Sequence, residues 1–268
     1  PRVRRQRQMC IRDRFDDELK CFKPRIFIKY RQPVNGFDVT VMCLPYNYTY
    51  DKERETEIWG NALLCFEKKD SRFYIYNESF SDSVLYYVNE QEVRDNMILE
   101  LDYLPKSTKE YLSHNSPFFF SDVDFDGEEE LIINNWRCGT RYCNTYDVYK
   151  ITNNVVKQLT EAPFVNPTGK ISNYNSDFDS VNKTITIHKR TGSAYYGGYY
   201  KYSLVKRVDL NSYDRLSKCN ELELIEAKII DYDRNTSTCS FRRYKRIKDR
   251  LQKIGEGKYD NCLLYTSD

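Results

Sequence analysis

Apolar and aromatic residues recur at every second position in short runs along this chain, and Asn, Asp, Gly and Lys turns separate the runs. Long amphipathic helical periodicity is nearly absent. Such a chain offers one side of each extended segment to a core, so it folds as strands joined by hairpins. Ile26-Phe27-Ile28-Lys29-Tyr30 and Val39-Thr40-Val41-Met42 begin the series. Residues 62–66, a Lys68-Lys69-Asp70-Ser71 turn and residues 73–76 read as a hairpin. So do residues 146–151, Asn153-Asn154 and residues 155–159. Residues 184–188 alternate cleanly. Gly197-Gly198, set between two tyrosine pairs, carries a two-glycine hairpin signal. Residues 222–230 and 241–254 complete the strands, and one short helix is expected over residues 107–114, after Pro105. The 24 Tyr and 14 Phe suit a pleated, half-buried surface. The expected class is all-β, an antiparallel meander of hairpins with little helix.

Within that pattern one turn carries chemistry. Residues 122–131 read D-V-D-F-D-G-E-E-E-L. Three aspartates stand at alternate positions, a glycine follows the third, and Glu130 falls at the ninth loop position. A hard cation takes several oxygens at about 2.3–2.6 Å, and alternate residues of a curling loop point the same way. Asp122, Asp124, Asp126 and Glu130 are therefore expected as side-chain ligands, Glu128 as a backbone-carbonyl ligand, and calcium as the ion. An acidic solvated turn is the plainer alternative. Against it, five carboxylates crowd into nine residues, and their repulsion is costly in a compact turn without a cation. Phe118-Phe119-Phe120 before the loop and Leu131-Ile132-Ile133 after it look like buried strands. A full helix-loop-helix calcium site would end on a bidentate Glu at position twelve, where this chain has Ile133.

Charge excludes one class of partner once the ends are set aside. Residues 2–14 (RVRRQRQMCIRDR) and 262–268 (CLLYTSD) resemble translated sequencing-adapter read-through, as found in reading frames from environmental assemblies. They are expected to be tails outside a single β-rich domain over residues 15–261, with a sub-boundary near 105–115. Residues 1–14 hold six Arg against Asp13. Without both tails the formal charge drops from +2 to −2, so no basic excess speaks for nucleic acid. No run approaches the roughly 18–20 apolar residues that cross a membrane. Seven cysteines lie in the body. Cys138 and Cys143 could form a local disulfide in an oxidising compartment, whereas Cys43 and Cys65 sit in apolar runs and read as core residues.

Further along, Tyr-x-x-Tyr-Lys-like units recur near residues 146–150, 199–202 and 244–245, a spacing of the order expected for the blades of a small propeller. Residues 116–164, with the acidic turn, a glycine-containing loop and a Tyr-Asp-Val-Tyr strand, resemble bacterial propeller-like proteins with one VCBS or FG-GAP type acidic loop. Residues 175–187 and the glycine- and tyrosine-rich segment up to Tyr202 resemble them too. Asp177-Phe178-Asp179 is a fainter acidic echo, without the glycine. The resemblance implies a partial or small β-propeller-like fold, with Asp122, Asp124, Asp126, Glu128, Gly127 and Glu130 at the positions of the ion loop. It also implies a place at the bacterial cell envelope or outside it. Some members act as immunity proteins that inhibit peptidoglycan hydrolases.

Two histidines and the absence of G-x-S-x-G, H-E-x-x-H and P-loop motifs leave no catalytic constellation. The expected function is non-catalytic binding of a protein partner, which the resemblance implies to be a secreted or envelope hydrolase. Tyr195, Tyr196, Tyr199 and Tyr200 are the candidate interface, since rigid amphipathic tyrosines suit interfaces; alternate tyrosines packing a core is the plainer account. A carbohydrate-active enzyme with paired carboxylates, or a sugar-binding module, is the alternative.

Overall fold

The computed structural model describes residues 26–49, 56–84, 97–103, 116–135, 145–152, 155–166, 169–172, 176–191, 194–205, 221–233, 236 and 238–259. The chain divides into two compact units, 1–103 and 104–268. The expected tails, the helix over residues 107–114 and the Cys138–Cys143 pair lie outside the described residues.

All regular structure among the described residues is strand. The first unit contains β1 (Ile26–Tyr30), β2 (Asp38–Thr49), β3 (Thr56–Lys68), β4 (Ser71–Val84) and β5 (Met97–Leu101), in the order β4-β3-β2-β1-β5. The hairpin at residues 68–71 forms as its turn residues suggest, with Lys68 paired to Ser71. Alternation decides the faces: Ile26, Ile28 and Tyr30 are buried while Lys29 is exposed. β5 departs from a plain meander and runs parallel to β1. Its register sets Leu99 beside Ile28 and Leu101 beside Tyr30, so the apolar sides of the two strands coincide. Phe66 and Phe73 stack at 5.0 Å, with Phe37 edge-on to both. Cys43 and Cys65 are buried in this core, as their apolar neighbours suggest.

The second unit opens with a four-stranded antiparallel meander of β6 (Phe118–Ser121), β7 (Glu130–Asn134), β8 (Tyr146–Thr152) and β9 (Val155–Gln158). β7 is buried along its whole length, which explains its unbroken Leu-Ile-Ile run. A small ribbon of β10 (Val165–Asn166) and β11 (Gly169–Lys170) follows. The remaining strands form a six-stranded antiparallel meander in chain order: β12 (Ser176–Asp179), β13 (Thr184–Thr191), β14 (Ala194–Val205), β15 (Glu221–Asp233), β16 (Thr238–Ile247) and β17 (Arg250–Tyr259). Phe119, Ile132, Tyr146 and Val148 from the four-stranded sheet join Ile185, Ile187 and Tyr202 from the six-stranded one in a shared core. The all-β meander expected from the pattern is the observed class, and no sheet among the described residues closes into a barrel.

Two expectations fail in detail. Gly197-Gly198 is not a hairpin turn, because β14 runs straight through it and Thr191 already pairs with Ala194. Gly198 has φ +107°, and a Cβ there would stand 1.8 Å from the Lys228 carbonyl oxygen on β15. The glycine permits a close approach of backbones within a sheet. Residues 241–254 are not one strand either. Ile247 pairs with Arg250 across Lys248-Asp249, and Lys248 takes φ +55°, which makes a tight turn between β16 and β17.

Candidate metal centre

The acidic loop is the connection between β6 and β7, whose last pair is Ser121 with Glu130. Its local logic is alternation. Val123 and Phe125 enter the core beneath the loop, 0% and 4% exposed. Asp124, between them, instead bonds to the Asp126 amide and to Lys150. Two residues take left-handed backbone: Phe125 at φ +64° and Gly127 at φ +96°. A buried phenylalanine in that region is uncommon and costly, and such outliers persist only where surrounding contacts over-determine them.

Those contacts are carboxylate oxygens. Glu130 Oε2 accepts from the backbone N–H of Val123 at 3.0 Å and of Asp124 at 3.3 Å. Asp122 Oδ2 accepts from Gly127 N–H at 3.0 Å. Asp124 Oδ1 accepts from Asp126 N–H at 3.2 Å, and Asp126 Oδ1 from Glu128 N–H at 2.9 Å. The last two are turns in which an aspartate binds the amide two residues on. One oxygen of each of these four carboxylates therefore wires the loop. The other is left for a cation.

Lys150 supplies one. Its Nζ donates to Asp124 Oδ2 at 2.6 Å and to Asp126 Oδ2, and stands 3.6 Å from Glu130 Oε1. Glu130 Oε1 and Asp122 Oδ1 are buried and have no hydrogen-bond partner. Lys150 thus satisfies two of the four inward oxygens. One ligand atom from each of Asp122, Asp124 and Glu130 lies within 4.8 Å of the others, a spread that a single ion can bridge.

The electrostatics follow the burial. Glu130 is wholly buried, and desolvation together with the Asp124 charge pushes its carboxyl up to about 8. Desolvation also raises Asp124, against the opposing pull of Lys150. Asp126 is likewise pushed up by burial, but its hydrogen bonds from Lys150 and Glu128 outweigh that and hold it below the usual carboxylate range. Burial works to lower Lys150, yet bonding to Asp124 and Asp126 prevails and keeps the ammonium well above its ordinary value. Asp124 and Glu130, the two carboxyls pushed up, are therefore short of compensating positive charge.

Of the expected ligands, Asp122, Asp124 and Glu130 converge, and Asp126 joins them through Lys150. Glu128 has an exposed side chain and contributes an N–H to Asp126. Lys150 was not among the expected site residues. Its signal was present: it follows Tyr146 and Val148 on the inward side of β8, where a charge needs a partner. Lys183 was missed as well; its Nζ donates to the Phe125 carbonyl at 3.3 Å, across the loop's strained residue. The acidic echo at Asp177 and Asp179 is spent elsewhere. Asp177 pairs with His188 at 2.7 Å, and Asp179 accepts from the backbone and side-chain amides of Asn182.

No family model matches this chain, and neither does any curated protein. A solved structure described as that of a Xanthomonas Type IV Secretion System related protein is similar to it at a TM-score of 0.48 and 12% identity. The match covers 85% of this chain and 93% of that one. A likeness of that strength assigns no function.

The tyrosine cluster divides by strand period. Tyr200 and Tyr202 belong to the core side of β14, whereas Tyr199 is on the opposite face. There its hydroxyl donates to Glu226, and that hydrogen bond pushes the phenol up to about 12. Tyr195 and Tyr196 lie in the same strand, and their side chains are outside the described residues.

Proposed function

We propose that the loop of residues 122–130 is a calcium site that pins the β6–β7 connection, in a non-catalytic β protein that binds a protein partner. The observation that carries the ion is the division of labour among carboxylate oxygens. Half close the loop, half converge, and two of the converging ones are buried without a hydrogen-bond partner. An all-oxygen, carboxylate-rich set suits a hard cation. Calcium accepts six to eight ligands in flexible geometry, while magnesium demands a near-octahedral shell and keeps its waters.

The partner follows from the resemblance of residues 116–202 to the envelope proteins with one acidic loop, and a secreted or envelope peptidoglycan hydrolase is the class to test. Cys239 on β16 is disulfide-bonded, which supports an oxidising compartment. Tyr199 offers the described aromatic surface of β14 away from the core.

Calorimetry should find one calcium site, lost when Asp122 and Asp124 are changed together to Asn. Equal binding by wild type and the double variant would sink the ion. For the partner, purified protein is titrated against lysozyme-like hydrolases acting on peptidoglycan. Inhibition weakened by Tyr199→Ala at an unchanged melting temperature supports the reading. Turnover of a glycan by the protein itself, abolished by one carboxylate change, would replace it with a carbohydrate-active enzyme.

A further inference from the structure

Lys150 is the side chain at this site that a calcium loop does not need. Its ammonium is bonded to Asp124 Oδ2 at 2.6 Å and to Asp126 Oδ2, with Glu130 Oε1 at 3.6 Å. These are the oxygens that face inward, because their partners Asp124 Oδ1, Asp126 Oδ1 and Glu130 Oε2 are taken by the loop amides. We propose that Lys150 is a resident counter-ion that competes with calcium for these oxygens, so that the loop alternates between an ammonium-filled and a calcium-filled state. The inference rests on the calcium reading above and adds what sets the affinity of that site.

Charge repulsion makes simple co-occupancy costly. An ion about 2.4 Å from an oxygen and an ammonium at hydrogen-bond distance from the same oxygen would stand no more than about 5 Å apart. At that separation two positive charges repel strongly in a partly buried site. The ammonium is also an imperfect occupant: its two hydrogen bonds leave Asp122 Oδ1 and Glu130 Oε1 unsatisfied. A divalent ion can serve those two oxygens as well. The lysine has somewhere to go, for its side chain is 26% exposed and its four-carbon stem is flexible. Lys150 also draws together Asp124 and Asp126, which lie on either side of the strained turn at Phe125.

The test removes the ammonium and leaves the stem. Lys150→Met in the full chain should lower the melting temperature in chelator and tighten calcium binding by at least about tenfold in calorimetry. The gap in melting temperature between chelator and calcium should widen accordingly. Should Lys150→Met fold poorly without calcium, Lys150→Gln keeps a polar head and should still bind calcium more tightly than wild type. On wild-type protein, the Lys150 ammonium resonance should lose its protection from exchange as calcium is added. Calcium binding that is unchanged or weaker in both variants would overturn the competition, because it would make Lys150 neutral or supportive toward the ion. Absence of calcium binding in wild type and in both variants would overturn the calcium reading itself.

Discussion

Gly127 and Gly198 both sit at positive φ in the second unit, and both lie in segments that read as turns in the sequence. Only one of them is in a turn. At Gly127 nothing lies within 4 Å of where a Cβ would be, so the glycine is there for its backbone angle alone. At Gly198 the β15 backbone lies 1.8 Å from that point, so the glycine is there because a neighbouring strand occupies the space. The two regions show that one local signal serves two ends. The loop requires a conformation and then needs charge to hold it. The strand requires room, and packing holds it.

Gly198→Val is the harshest way to break the contrast. It must push β14 away from β15 in the middle of a six-stranded sheet, and a loss of about 3 kcal/mol or more is expected. Denaturant melts would show either that loss or no soluble protein, and a mild effect would mean the strands separate more easily than the backbone contact suggests.

Glu130→Gln sharpens the other side. The amide oxygen can still accept from Val123 and Asp124, while the charge that faces the cation is gone. In chelator below about pH 8 the variant should be about as stable as wild type, because burial already holds this carboxyl largely protonated and a neutral amide replaces a neutral acid. The calcium-induced gain, about 2.7 kcal/mol for wild type at a hundredfold excess over Kd, should largely vanish in thermal melts. A full calcium response in the variant would remove Glu130 from the site.

Gly127→Ala is the milder counterpart of the Gly198 change. With open space around it, the cost is that of left-handed backbone alone, about 1–2 kcal/mol, and raising calcium should recover part of it. A loss as large as that at Gly198 would mean the two glycines do the same work.

A last expectation concerns pH. Burial holds the folded Glu130 carboxyl at about 8, above its ordinary value near 4.5, so the ion-free folded state binds more protons than the unfolded chain between those limits. The stability contribution of this group is therefore fully present below about pH 4.5 and is lost as pH rises toward 8. Melting temperatures in chelator should decline over that window, and calcium should flatten the decline. A slope unaffected by Glu130→Gln would place its origin in another residue.

Much of the fold was legible because period-two alternation is a local property. The hairpins at residues 68–71 and 152–155 pair where their turn residues suggest. The loop's converging carboxylates were legible for the same reason: alternate aspartates share a side. What alternation could not convey is which strand lies next to which. β5 alongside β1 in parallel, and β15 pressed against Gly198, are relations between distant segments.

By itself, then, the sequence determined the all-β class, the alternation of apolar faces within each strand and the clustering of Asp122, Asp124, Asp126 and Glu130, all of which arise from residues a few positions apart. The tertiary structure alone decided that Lys150, 26 residues from Asp124, completes the cluster. It also decided that Tyr200 faces the core while Tyr199 faces away, and that Gly198 is a contact rather than a turn. The physical reason is common to all three. Burial and charge compensation depend on what stands opposite a residue in space, and only the folded sheets bring those partners into place.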